Sequence, residues 1–204
     1  MRILVLSISL LVSSIAYSQN NKTALLIIDI QNDYFPNGRF ELTNAEQAGK
    51  NAGQVLNSFR KAGLPVIHIQ HIATKPDAIF FLPNTSGAEI HSSVSPQKGE
   101  KIIIKHYPNS FIETDLLETL KKEGITNLVI VGMMTHMCID ATTRAAKDYG
   151  FNCTVISDAC ATRDLAINDV VVNAKDVHNA FLSALNGYYA NIVGTATYLK
   201  SAFD

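Results

Sequence analysis

From residue 23 onward the chain alternates two kinds of apolar pattern. Short runs of mainly aliphatic residues at 24–30, 64–71, 101–106, 127–131, 152–157 and 190–193 predict strands, with the runs that lack polar interruption buried on both faces. Between them apolar positions recur at helical spacing. Over 44–62 the spacing predicts a helix with Asn44 as its cap, Ala48, Val55, Leu56 and Phe59 on its apolar side, and Gly63 as its stop. Further helices are expected over 113–123, through Ile139, Thr142, Thr143 and Ala146, and over 176–186, the last with a possible start near Asn168. Strands and helices in alternation predict an α/β fold, a parallel sheet covered on both faces with right-handed crossovers. One connection is out of scale. Residues 72–99 span about 28 positions with Pro76, Pro83 and Pro96, too long for an ordinary link and expected to be a lid or pocket wall. Phe80 and Phe81 within it either line that pocket or pack locally to hold the loop down.

The first 18 residues do not fit this alternation. A single charge at Arg2, an apolar stretch over 3–15 and the small residues Ala16 and Ser18 predict a secretory signal peptide. The stretch is shorter than the roughly 20 residues a spanning helix needs. Residues 19–204 then form one domain, expected to be exported to a periplasm or secreted, with no membrane contact after cleavage. Its 47% hydrophobic content supplies a sizeable core, and 17 basic against 18 acidic residues with no basic cluster argue against nucleic acid as a partner. The 3 cysteines, Cys138, Cys153 and Cys160, are an odd number, so at least one is free. Cys153 reads as a core residue. Cys160 approaches Cys138 if their strands are neighbours, and a disulfide between them would silence the thiol.

In parallel α/β sheets ligands bind beyond the carboxyl ends of the strands. Asp29 ends the first strand there, Lys105 the third, and Cys138 follows the fourth across an elbow at Gly132. A cysteine in the first turn of the following helix sits among unsatisfied N-H groups at the positive end of the dipole, which favours the thiolate. The plainer reading is a buried cysteine acting as a small hydrophobe. Asp29 and Lys105 likewise have a plain reading as an ion pair tying two strands together. All three at one edge favour a catalytic group.

Four segments carry a family resemblance. They are Leu26-Ile-Ile-Asp-Ile-Gln-Asn-Asp-Tyr34, Lys105-His-Tyr-Pro-Asn-Ser-Phe111, Gly132-Met-Met-Thr-His-Met-Cys138 with Asp140-Ala-Thr-Thr-Arg-Ala-Ala146, and Ser157-Asp-Ala-Cys-Ala-Thr-Arg163. A weaker match at His178-Asn-Ala-Phe-Leu-Ser-Ala-Leu185 extends it nearly to the end. Together they resemble the isochorismatase-like cysteine hydrolases, of the nicotinamidase/isochorismatase superfamily. The resemblance implies a three-layer α/β/α sandwich on a mainly parallel, Rossmann-like sheet of about six strands. It also implies a triad of Asp29, Lys105 and Cys138 that hydrolyses the carbon-nitrogen bond of a small amide through a thioester. Asp29 would be general base and acid, Lys105 its electrostatic partner, and the N-H groups of Met134 and Cys138 the oxyanion hole, with a cis peptide between Met133 and Met134. Tyr34, Phe35, His71, Tyr107 and His136 are candidate substrate contacts, with packing as the alternative, and Arg144 and Arg163 are expected in structural ion pairs.

The departures from the family bear on metal and substrate. Nicotinamidases of this family bind a metal through an Asp-x-His pair after the second strand. Here that stretch reads Ile67-His-Ile-Gln-His-Ile72, without the aspartate. No metal or other cofactor is therefore expected, and a zinc-like site built on His68, His71 and His91 is the lesser reading. Cys138 argues against the vinyl-ether cleavage of the isochorismatases proper, which lack the nucleophile. The resemblance also suggests a homo-oligomer. The rival reading is an exported binding protein that keeps the fold without the activity. A redox protein is weaker, because no Cys-x-x-Cys spacing is present.

Overall fold

A computed structural model describes residues 22–203. The signal peptide expected over 1–18 lies outside the described residues. In chain order the elements are β1 (Lys22–Ile28), α1 (Ala45–Lys61), β2 (Val66–His71), β3 (Lys101–Lys105), α2 (Leu116–Lys122), β4 (Ile125–Met133), α3 (Asp140–Asp148), β5 (Asn152–Ala161), β6 (Leu165–Ile167), β7 (Val170–Val172), α4 (Ala174–Leu185), β8 (Asn191–Val193) and α5 (Thr195–Phe203). Six strands form one sheet in the order β3-β2-β1-β4-β5-β8, and every pairing in it is parallel. β1 and β4 sit at its centre, where uninterrupted aliphatic runs are needed because both faces are covered.

Alternate side chains of those runs feed two cores. Leu25, Ile27, Val129 and Val131 pack with Val55, Leu56 and Phe59 of α1, joined by Tyr198 and Phe203 of α5. Leu26, Ile28, Leu128 and Ile130 pack on the other face with Leu116 and Leu120 of α2, Ala146 of α3 and Leu182 of α4. The result is the expected three-layer α/β/α sandwich. At the strand order's reversal the carboxyl ends of β1 and β4 lie side by side, Ile28 opposite Gly132.

Three features differ from the sequence-based expectation. No helix begins near Asn168, because Asn168 and Asp169 take positive φ and close a β6–β7 hairpin; α4 starts at Ala174, capped by the Asn173 side chain. A helix not foreseen, α5, closes the described chain, its Thr195 N-H and hydroxyl both donating to Asp158 Oδ1. The turn that carries Cys138 is a π turn, Thr135–Ile139, leading into α3.

Candidate active site

The elbow between β4 and α3 is built from one glycine and one doubled carbonyl. Gly132 has φ 134°, and a Cβ there would collide with the Ile28 carbonyl of β1, so only glycine lets the two central strands approach. The Met133–Met134 peptide is cis, as the resemblance implied. Met134 O then accepts from both Met137 N-H at 3.0 Å and Ile139 N-H at 3.2 Å, the residues on either side of Cys138. This widened turn sets Cys138 beneath the end of β1.

There it meets the two other expected residues. Asp29 follows β1 with φ 52°, and Asp29, Lys105 and Cys138 are all buried. Lys105 Nζ lies 2.7 Å from Asp29 Oδ2 and also donates to Tyr107 O at 3.1 Å and to His71 Nδ1 at 3.3 Å. Reactive atoms of Asp29, His71 and Cys138 all fall within 4.8 Å of one another. Burial works to discharge Lys105, but the Asp29 carboxylate and Cys138 outweigh it and hold the ammonium above its ordinary value. The thiol goes the other way from the expectation. Burial pushes Cys138 well up, Asp29 adds to it and Lys105 only partly opposes, so the resting sulfur is protonated despite its place before α3.

His71 is the fourth member of the cluster. Its backbone is clamped from both sides by Gln31, which donates to His71 O at 2.9 Å and accepts from His71 N-H at 2.7 Å. Burial, helped by Lys105, lowers its imidazole to about 4, so it is neutral near neutral pH. Lysine can only donate, so Nδ1 is the acceptor and the ring proton is on Nε2. The loop over 72–99 supplies one wall of a cavity of about 640 Å³ beside this cluster. His71, Tyr107, Phe80, Met134, Met137 and Arg163 are among its lining residues. The loop is organised by buried Asp33, whose carboxylate accepts from Arg39 N-H and from Phe81 N-H, with Gly87 packed where a side chain would strike it. Phe81 is fully buried against Tyr34, so the two loop phenylalanines divide the roles, Phe80 lining and Phe81 anchoring.

Not every expected contact reaches the cavity. Tyr34 is 1% exposed within an aromatic cluster; burial first, then Cys138 and Asp29, raise its phenol, which places it beside the triad but behind the cavity wall. Phe35 is stacked on His91 at 3.5 Å between centroids, and His136 bonds Thr162 Oγ1 at 2.5 Å with its ring against Phe181; neither lines the cavity. Three imidazoles do not converge, because His68 turns to Glu100 at 2.9 Å and His91 stays on Phe35 and Ser93. The donor set of Asp29, His71 and Cys138 faces the Lys105 ammonium, which lies 2.7 Å from Asp29 Oδ2 and 3.3 Å from His71 Nδ1. Arg144 forms the expected ion pair, with Asp140 at 2.9 Å. Arg163 does not: its guanidinium lies 5.1 Å over the Phe40 ring and its Nε is buried without a partner among the described residues, at the cavity wall. Gln31, Asp33 and Arg163 lay inside the recognisable motifs, and that position was the available signal.

Residues 23–197 match the family model for the isochorismatase domain. The chain is also 56% identical over 178 residues to the uncharacterized isochorismatase family protein YddQ of Bacillus subtilis, covering 87% of this chain and 99% of that protein. It belongs to the isochorismatase family. Among solved members of the family, the putative isochorismatase hydrolase from Oleispira antarctica superposes with a TM-score of 0.85 at 49% identity, over 89% of this chain and 97% of that one. Streptothricin hydrolase of Streptomyces noursei is 32% identical over 142 residues, 70% of this chain and 55% of that longer protein.

Proposed function

We propose that the protein is a cysteine hydrolase that cleaves the carbon-nitrogen bond of a small amide through a thioester on Cys138. Membership of a family that includes a named streptothricin hydrolase supports a hydrolase of non-peptide carbon-nitrogen bonds. The observation that carries the finer reading is the buried cluster of Asp29, Lys105 and Cys138, which His71 joins to the cavity lining. A strand-tying ion pair would not need a thiol within reach.

In the first half-reaction Asp29 takes the proton of Cys138 as Sγ attacks the carbonyl carbon. The N-H groups of Met134 and Cys138 hold the oxyanion. Collapse breaks the carbon-nitrogen bond, and the protonated Asp29 gives its proton to the departing amine, leaving the thioester. Water then attacks, Asp29 takes its proton, and the thiolate leaves and regains that proton as the acid departs. Lys105, 2.7 Å from Asp29 Oδ2, holds the carboxyl group in place at the start of each half. None of these steps calls for a metal or cofactor. The apolar cavity wall of Phe80, Met134 and Met137 suits an amide with an apolar substituent. The apolar stretch over residues 3–15, read as a signal peptide, supports catalysis after export.

The test is alkylation by sub-stoichiometric iodoacetamide at several pH values, with mapping by mass spectrometry. Cys138 should be labelled ahead of Cys153 and Cys160, and Asp29→Asn and Lys105→Ala should both change its pH profile. Labelling no faster than the other two thiols and indifferent to both substitutions would leave a binding protein on a hydrolase fold.

A further inference from the structure

The turn that carries Cys138 is tied to itself by the Met134 carbonyl, which receives the Met137 and Ile139 N-H groups. Two consecutive side chains tie it outward. The Thr135 hydroxyl meets Ala161 O at 3.2 Å and His178 Nδ1 at 2.9 Å, and His136 Nδ1 meets Thr162 Oγ1. Ala161 ends β5 and Thr162 follows it, whereas His178 comes from the second turn of α4. His178 opens the segment His178-Asn-Ala-Phe-Leu-Ser-Ala-Leu185, yet it bonds none of Asp29, Lys105 and Cys138 and does not line the active-site cavity. It lines a separate cavity of about 360 Å³, with Cys160, Thr162 and Lys175.

Chemistry fixes the donor roles. A carbonyl can only accept, so the Thr135 proton goes to Ala161 O, and Thr135 Oγ1 accepts from His178 Nδ1-H. Burial lowers the basicity of His178, so the ring is neutral near neutral pH and this is its single N-H. The result is a polar chain of one direction, from His178 through fully buried Thr135 to β5. Buried hydroxyl and imidazole groups are costly unless paired, and α4 docks on the sheet through Leu182 without needing them. What a fully paired buried chain adds is one fixed geometry. Here that geometry belongs to the residue three positions before the thiol.

We infer that His178 is a positioning residue for the nucleophile: by holding the Thr135 hydroxyl it sets the turn that aims Cys138 at Asp29, without touching substrate. The inference rests on the reading of Cys138 as the nucleophile, which the wild-type protein tests separately.

The probe is iodoacetamide, with labelling of all three cysteines followed by mass spectrometry across pH. His178→Leu removes the N-H and should slow Cys138 labelling roughly 10- to 100-fold and move its pH profile upward, because the thiol is no longer aimed at its base. Cys153 and Cys160 should keep their rates. His178→Asn, whose amide N-H stands near the place of Nδ1-H, should restore most of the wild-type rate and profile. Thr135→Val should reproduce the slowing, which keeps the test open if His178→Leu does not fold, and the double variant should be no slower than either single one. A merely structural role would loosen the fold and speed labelling of all three buried thiols. That outcome overturns the inference, as does an unchanged Cys138 rate or an asparagine variant that behaves like the leucine one. A wild type that labels Cys138 no faster than the other thiols sinks the nucleophile reading and the inference with it.

Discussion

With Cys138 3% exposed and its thiol pushed up by burial, the sulfur keeps its proton until a base removes it, and the nearby base is Asp29. Under the proposed mechanism, catalysis depends on a proton transfer coupled to attack and not on a standing thiolate. Asp29→Asn should lower kcat on a responsive amide by about 10² to 10⁴ with little change in KM, as steady-state kinetics would show. Equal losses in binding and turnover would instead mark Asp29 as structural. The same contact predicts how stability and activity separate. Lys105→Ala strands a buried carboxylate and should cost about 3 to 5 kcal/mol in denaturant unfolding, whereas Asp29→Leu with Lys105→Met should recover most of that stability while remaining inactive. A double variant as unstable as the single one would refute the buried-pair account. The sequence made the cluster of Asp29, Lys105 and Cys138 legible because each lies at or beyond the carboxyl end of a strand and sits in a recognisable motif. It did not reveal that Arg163 reaches the cavity or that Phe35 and His136 turn away, since those outcomes depend on which neighbour each side chain finds.

Two elements hold the site in place by features that tolerate little change. The elbow needs Gly132, because φ of 134° is combined with contact to the Ile28 carbonyl. Gly132→Ala should destabilise by about 2 to 4 kcal/mol and abolish Cys138 selectivity in the alkylation assay, and a variant of wild-type stability would show that β1 and β4 can part freely. β2, which carries His71, is held at its other end by His68, Arg60 and Glu100. Two hydrogen bonds from Arg60, 2.7 and 2.8 Å, hold the Glu100 carboxyl down to about 2, with Gln97 N-H and His68 adding to it against burial. A carboxyl depressed in the fold gives stability that is present above its unfolded value near 4.5 and lost as pH falls toward about 2. Thermal unfolding should thus show a smaller fall in Tm between those pH values for Glu100→Gln than for wild type, and parallel curves would sink the assignment. Strand and helix alternation was legible at this scale. The β6–β7 hairpin and α5 were not, because their short apolar runs fit either structure until Asn168, Asp169 and the Asp158 cap decide it.

One sheet serves both cores, so neither layer can unfold without exposing the other's strands. Leu56 in α1 and Leu120 in α2 are each at most 1% exposed and lie on opposite faces of it. Truncation of either leucine to alanine removes buried methyl groups and leaves a cavity, at about 2 to 5 kcal/mol. For a domain of this size that corresponds to a Tm lower by roughly 5 to 15 °C. The sharper expectation concerns cooperativity. Because β1 and β4 contribute alternate side chains to the two layers, Leu56→Ala and Leu120→Ala should each move a single transition, with far-ultraviolet and near-ultraviolet circular dichroism melting together. Their effects should add, since the two sites share no contact partner in either core. Two separated transitions in either variant, or a double variant far from the sum, would mean that the layers unfold independently and that the sheet does not bind the catalytic edge into one cooperative unit.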